Sequence, residues 1–325
     1  MKVGILGAGS IAGTMAGTIG RMSEADNYAI ASRDKAKAEA FAAKYGVERA
    51  YGSYEEFLAD DEIDLVYIAT PHSNHYEWTI KALEAGKNVL CEKAFAANAG
   101  QAKEMVAKAR EKGLLLAEAI WTRYMPSRQI ISDVIKSGEL GEIRTVSANL
   151  CYKIDMNDRI VNPALAGGSL LDLTVYPLNF ASMIFGNDIK RIAAAMVPTE
   201  TGVDGQDSVM IEYNDGRMAT MFTSIFGQGD RRGLVVGSKG YLRVENINNP
   251  QSIEVCVLDG SSHKVTREIA VPPQITGYEY EVLACRRAIE AGETECSEMP
   301  HSETIEIMEQ MDNIRRQFGI VFPFE

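Results

Sequence analysis

Along the first 120 residues, short runs of β-branched and aliphatic side chains alternate with Ala-rich stretches of helical period. The runs at 2–6, 28–31, 65–69, 88–91 and 114–118 predict strands, and the stretches at 11–21, 35–44, 54–58, 75–84 and 99–111 predict helices. Strict alternation of this kind predicts parallel strands joined by right-handed crossovers, hence a doubly wound α/β sheet. Gly46, Gly86 and Gly113 stand where three of the helices should stop. After Trp121 the texture changes. Residues 126–137 predict one helix closed by Gly138, and from 142–152 onward the strands are longer and alternate in polarity. Asn214-Asp215-Gly216 and Gly237-Ser238-Lys239-Gly240 sit between alternating runs, as hairpin turns do. A mainly antiparallel sheet needs one face covered. The helical stretches at 278–290 and 303–318, the second with Ser302 as its cap, are the candidates to cover it or pack on its edges.

Composition narrows the function classes. The chain has 325 residues, more than one core of ordinary size needs, and 46% of them are hydrophobic. A formal charge of −12 disfavours nucleic acid and anionic membrane as partners. The N-terminal residues lack the apolar run and small-residue cleavage site of a signal peptide, and no window holds about 20 apolar residues for a membrane span. Five scattered cysteines, never spaced C-x-x-C, predict reduced thiols and a cytoplasmic location, with no disulfide framework and no metal site.

Gly7-Ala8-Gly9-Ser10-Ile11-Ala12 fits G-x-G-x-x-A directly after a strand and before a helix. The first glycine allows a tight turn, the second lets backbone approach a pyrophosphate, and a small third residue lets helix and strand pack closely. Unpaired N–H groups at the helix start, around Ser10 and Ile11, suit the anion. At the end of the second strand an acidic residue would bind the ribose of NAD. Here Ser32 and Arg33 stand there, able to bond a 2′-phosphate and stack on adenine, which favours NADP(H) over NAD(H). The competing reading is a solvated Arg33 beside Asp34 as a helix cap. Lys93 follows the strand at 88–91, on the edge where ligands of open α/β sheets bind. Asp172 and Tyr176 are four apart and share one face if their segment is helical. A Lys, an Asp and a Tyr acting on a nicotinamide make a credible proton-transfer group.

Together these segments resemble the Gfo/Idh/MocA family of oxidoreductases. The resemblance runs through the phosphate loop, Ala69-Thr70-Pro71-His72-Ser73-Asn74-His75, Ala85-Gly86-Lys87-Asn88-Val89-Leu90-Cys91-Glu92-Lys93, and Gly167-Gly168 with Asp172 and Tyr176. Glu118-Ala119-Ile120-Trp121-Thr122-Arg123-Tyr124 is similar to the branch containing trans-1,2-dihydrodiol dehydrogenase and NADP-dependent D-xylose 1-dehydrogenase. The resemblance implies a Rossmann domain over 1–120 and a substrate-binding and oligomerising α+β domain over 121–325, with a large, mainly antiparallel sheet. It implies Lys93, Asp172 and Tyr176 as catalytic residues, with Tyr176 donating or accepting the proton where many relatives have His. It places Thr70, His72, His75, Glu92 and Lys93 near the cofactor, and Trp121, Arg123 and Arg159 near a small polyol, sugar or dihydrodiol-like substrate. A homodimer or higher homo-oligomer through the C-terminal sheet is implied as well. Ala94 departs from the family's usual Pro after the lysine. Thr174 stands where many relatives have Gly and is expected to narrow the pocket floor. A short-chain dehydrogenase is excluded, since no tyrosine here has a lysine four residues on. The rival from another class is a non-catalytic NADP-binding regulator.

Overall fold

The alternation at the start of the chain folds as a six-stranded parallel sheet in the computed structural model, which describes residues 1–259 and 262–325. Its strands are β1 (Lys2–Leu6), β2 (Asp26–Ala31), β3 (Arg49–Tyr51), β4 (Leu65–Ile68), β5 (Asn88–Glu92) and β6 (Leu116–Ala119). Between them run α1 (Ser10–Ile19), α2 (Lys35–Tyr45), α3 (Tyr54–Leu58), α4 (His75–Glu84) and α5 (Ala99–Lys112). The strand order is β3-β2-β1-β4-β5-β6, the doubly wound arrangement whose order reverses between β1 and β4. All of β4 is buried, as expected of a strand covered on both faces. β3 was not expected: three residues are too short a run to show a period.

The later part of the chain gives α6 (Pro126–Lys136), β7 (Ile143–Cys151), α7 (Asp158–Val161) and α8 (Val175–Phe185), then β8 (Ile189–Pro198), β9 (Asp204–Tyr213) and β10 (Met218–Ser224). β11 (Gly233–Gly237), β12 (Gly240–Val244), β13 (Ser252–Asp259) and β14 (Ser262–Ala270) complete an eight-stranded sheet, ordered β14-β13-β12-β11-β7-β10-β9-β8. β7 and β10 pair in parallel, and the other neighbours are antiparallel. Alternation sets the buried face: Ala219, Met221 and Thr223 of β10 point inward, while Met218, Thr220 and Phe222 point out. The helices α9 (Glu279–Ala291) and α10 (His301–Phe318) end the chain. Helix α10 begins one residue before Ser302, the expected cap.

The chain divides into two units, Met1–Tyr124 with Gln274–Met308, and Met125–Pro273 with Glu309–Glu325. The first therefore takes in α9, which the sequence reading grouped with the antiparallel sheet. Specific bonds explain the difference. The edge of β6 is closed by the Leu116 N–H donating to Thr294 O at 3.0 Å and by His301 Nε2 bonding Leu116 O at 2.8 Å. Tyr278 stacks on Trp121 with ring centroids 4.2 Å apart, and Thr276 bonds Thr18 of α1 at 2.7 Å. Among the described residues, no helix is long and apolar enough to cross a membrane.

Candidate active site

In the first unit, strand register lines up the candidate residues. Leu6 pairs with Ile68 and Ile68 with Cys91, so the chain leaves β1 at Gly7, β4 at Ala69 and β5 at Lys93 along one rim. Gly7 has φ +107°, and a Cβ there would lie 2.7 Å from Ala69 O, so only glycine makes this turn. Gly9 is different. It caps α1 in an extended conformation, and a Cβ built on it meets no atom within 4 Å. The chain's own packing does not demand glycine at that position, whereas a pyrophosphate approaching the backbone does. Ala12 is fully buried, as the close helix–strand packing requires. A turn of this shape ahead of the N–H groups of Ser10 and Ile11 fits the dinucleotide that the sequence implies.

At the end of β2, Asp34 is the cap of α2, its Oδ1 accepting from the Ala36 and Lys37 N–H groups at 2.9 and 3.3 Å. That leaves Arg33 exposed; burial raises the Tyr54 phenol above its ordinary value, and the Arg33 charge offsets part of the rise. Ser32 is buried, its Oγ accepting from the Asp34 N–H at 3.3 Å. Beyond β4, Thr70 is half-buried, while His72 and His75 are buried with their rings 5.6 Å apart. His75 lies between two backbone carbonyls, Nε2 2.9 Å from Thr70 O and Nδ1 2.8 Å from Ala94 O. A carbonyl only accepts, so the neutral ring bonds one of the two, from whichever nitrogen carries the proton.

Lys93 is half-buried, and its backbone N–H donates to Glu92 Oε2 at 3.2 Å. The other oxygen of Glu92 accepts from the Tyr67 hydroxyl. Burial, then the Glu92 charge, raises Glu281 far above the ordinary carboxylate range, and its two oxygens have no hydrogen-bond partner among the described residues. Glu118 at the end of β6 is pushed up to about 7 by burial, against the opposing pull of the Thr304 hydroxyl and the Arg123 guanidinium. Trp121 is buried in its stack with Tyr278, and Arg123 is 3% exposed and donates to Glu303 at 2.9 Å. Both residues are thus held by partners inside their own unit.

In the second unit, the segment after Gly168 is helical as expected but wound wide. Residues Leu170–Thr174 form a π-turn, with the Val175 N–H bonding Leu170 O, before α8 begins. Such turns recur at functional sites. Asp172 is buried, and its Oδ1 accepts from Arg159 Nη1 at 3.1 Å. Tyr176, in the first turn of α8, is 8% exposed. Thr174 does not turn toward a pocket floor. It is 1% exposed, and its hydroxyl is committed to Asp207 Oδ2 at 2.7 Å and Thr223 Oγ1 at 2.6 Å. Sequence reasoning missed Asp204 and Asp207, although strand parity signals the latter: it sits in register with the inward-facing Val209, Ile211 and Tyr213. It missed Glu281 too, for which helical period alone gives no warning.

Residues 1–119 match the sequence profile described as "Oxidoreductase family, NAD-binding Rossmann fold", and residues 129–243 match "GFO/IDH/MocA C-terminal domain". Trans-1,2-dihydrobenzene-1,2-diol dehydrogenase of Sus scrofa is 35% identical over 333 residues, covering 99% of this chain and 98% of that protein. The protein of the same name from Mus musculus is 33% identical over 336 residues, with the same coverage. Among solved structures, a 3-ketoreductase from Actinomadura kijaniata in complex with NADP and TDP-benzene superposes with a TM-score of 0.86 at 25% identity, covering 98% of this chain and 97% of that one. The fold is shared as well with an aldose-aldose oxidoreductase from Caulobacter crescentus, at a TM-score of 0.85 and 24% identity over 98% of this chain and 97% of that one. A Rossmann unit that binds NAD(P) is therefore joined here to the C-terminal domain of one enzyme family. The chain belongs to the Gfo/Idh/MocA oxidoreductases.

Proposed function

We propose that this enzyme transfers a hydride between NADP(H) and the hydroxyl- or carbonyl-bearing carbon of a small polyol, sugar or dihydrodiol-like substrate, with Lys93 and Tyr176 handling the proton. The observation that carries the reading is the shared rim on which Gly7, Thr70 and Lys93 follow three adjacent strands, where ligands of such sheets bind. Gly7, Gly9, Ser10 and Ile11 would hold the pyrophosphate, and Ser32 and Arg33 the 2′-phosphate. When bound, the nicotinamide accepts or gives the hydride at C4. In the oxidative direction, Tyr176 takes the hydroxyl proton as hydride leaves the same carbon. A phenol is a poor base at neutral pH, and an ammonium such as Lys93 favours the phenolate. Asp172, held by Arg159, orients the substrate hydroxyl. The names of the relatives support the substrate class, since they act on dihydrodiols or carry out keto-group reduction. The test is NADPH oxidation against aldoses, osones, diketones and dihydrodiols, with the reverse reaction on the corresponding alcohols. Turnover of at least one of them is expected. Cofactor binding without turnover on any would return the regulator reading.

Arg33→Ala is expected to weaken NADPH binding by about 10–100-fold, the worth of one or two charge-assisted bonds, and NADH binding only by the smaller loss of the adenine stack. Fluorescence titration of both cofactors checks this. Equal losses for the two would remove Arg33 from the phosphate site.

Self-association is part of the same proposal. The outward face of the eight-stranded sheet exposes Val197, Met218, Phe222, Val236, Leu258 and Val265, Phe222 at 51%. Phe222 borders a shallow groove of about 710 Å³ whose lining includes Ala193, Ala195, Ser147 and Ser208. Exposed apolar residues grouped on one sheet face support an interface between copies of the chain. Light scattering should give a dimer or larger assembly, and Phe222→Glu should shift it to the monomer mass without altering cofactor affinity. A wild-type monomer at all concentrations would refute the assignment.

A further inference from the structure

Beneath the π-turn lies a polar network that the proposed chemistry does not use. Asp204 and Asp207, both on β9, are 2% and 0% exposed. Thr223 of β10 lies directly opposite Asp207, and its hydroxyl is 3.3 Å from Asp207 Oδ2. Ser169 Oγ is 2.8 Å from Thr223 Oγ1, and Thr174 Oγ1 is 2.7 Å from Asp207 Oδ2. Two hydroxyls, those of Thr174 and Thr223, thus meet on Asp207 Oδ2, and Ser169 joins them through Thr223. That arrangement favours an ionised Asp207, since hydroxyl donors stabilise the carboxylate more than the neutral acid. Asp204 is placed otherwise. Its Oδ2 accepts from the Leu170 N–H, and its Oδ1 lies where a Cβ on Gly168 would come within 2.3 Å. Gly168, at φ +123°, is therefore fixed both by its own backbone and by this carboxyl.

Two carboxyls this buried beneath one turn, each acting on the other, do not both ionise. Burial and then the Asp207 charge drive Asp204 well above its ordinary range. Burial takes Asp207 up to about 6, with the hydroxyls of Thr174, Ser169 and Thr223 and the Asp204 carboxyl opposing. Among the described residues, the groups that bond the pair from the π-turn and from β10 are hydroxyls and a backbone N–H, and the charge that acts on Asp204 is that of Asp207.

We propose that Asp204 and Asp207 share a single proton and act as a positioning pair, holding the wide turn from Ser169 to Thr174 that carries Asp172 and leads into Tyr176. The inference rests on the roles given above to Asp172 and Tyr176, but its structural half stands apart from them. With the proton on Asp204 and the charge on Asp207, the Leu170 N–H and the Thr174 hydroxyl each have a fixed acceptor, and the turn has one register. Protonating Asp207 removes the charge that these hydroxyls hold and weakens each bond to it.

Infrared difference spectra of protein with isotope-labelled Asp test the structural half without any substrate. A protonated carboxyl band should persist at pH 8 and vanish in Asp204→Asn; its absence from the wild type overturns the proposal. Steady-state kinetics test the functional half. The kcat of the wild type should fall as pH drops through about 6. Asp207→Asn should lose that limb and at least ~10-fold in kcat, with the KM for cofactor unchanged. Asp204→Asn, which keeps a neutral proton-bearing group, should restore most of what Asp204→Ala loses. Should Asp207→Asn fail to fold, Thr174→Val removes one link at constant shape and should lower kcat alone. Equal kcat in Thr174→Val and wild type, or loss confined to KM, overturns positioning. A band at pH 8 together with full activity in Tyr176→Phe would instead indict the catalytic assignment and leave the shared proton standing.

Discussion

Lys93→Met lowers kcat by about 10²–10⁴ and leaves the dissociation constant for NADPH within a few-fold, and Tyr176→Phe does the same. The magnitude is that of positioned proton transfer. The reasoning for the lysine is local. Its backbone is fixed by the Glu92 carboxylate, which is itself held by Tyr67, so losing the ammonium removes a charge without loosening the strand end. Met keeps the length and the apolar stem of the side chain while removing its charge. Stopped-flow single turnovers should show slow chemistry, and fluorescence quenching should show intact binding. Two fully active variants would strip both residues of their roles. A large loss of NADPH affinity in Lys93→Met with kcat preserved would make it a cofactor ligand and no more.

The parallel sheet was legible because its information is local: an apolar run, a turn residue, an Ala-rich helix, repeated. Helix α3 and helix α4 begin and end at the residues the pattern gives. The phosphate loop was legible for the same reason, since a turn, a helix start and a small buried residue occupy six consecutive positions. Strand β8 was not, because its run Ile192-Ala193-Ala194-Ala195-Met196 has no alternation in polarity and small residues suit helix as well as strand. The placement of α9 was not legible either. A periodic apolar stripe says that a face is buried, never against which sheet, and here single bonds from Thr276 and Thr294 and the Tyr278 stack decide it. In the site, residue types were readable and their partners were not. Arg159 was singled out for substrate, yet it pairs with Asp172 from 13 residues away through a loop whose path no spacing rule gives. Thr174 was expected at a pocket floor and is turned into the Asp207 network, because strand β9, 30 residues later, supplies the acceptor.

Glu118→Gln stabilises the protein at alkaline pH and not at acid pH. The wild-type carboxyl ionises near 4.5 in the unfolded chain and near 7 in the folded one, where burial outweighs the Arg123 guanidinium and the Thr304 hydroxyl. For an acid whose folded value is raised, the unfolded state releases its proton first as pH climbs, so the native state loses ground between those two values and regains none above them. Well above pH 7 the cost is about 3 kcal/mol, which in a protein of this size corresponds to roughly 5–10 °C in melting temperature. Gln has nearly the same shape and carries no charge, while Arg123 retains Glu303 at 2.9 Å. Melting at pH 8.5 should therefore rise in the variant, and melting at pH 4.5 should match the wild type. An equal shift at both values would mean that packing, not the charge, is responsible. A fall at pH 8.5 would mean that the Glu118–Arg123 attraction stabilises the fold more than burial of the carboxylate costs, and the sign of the electrostatics around β6 would have to be reversed.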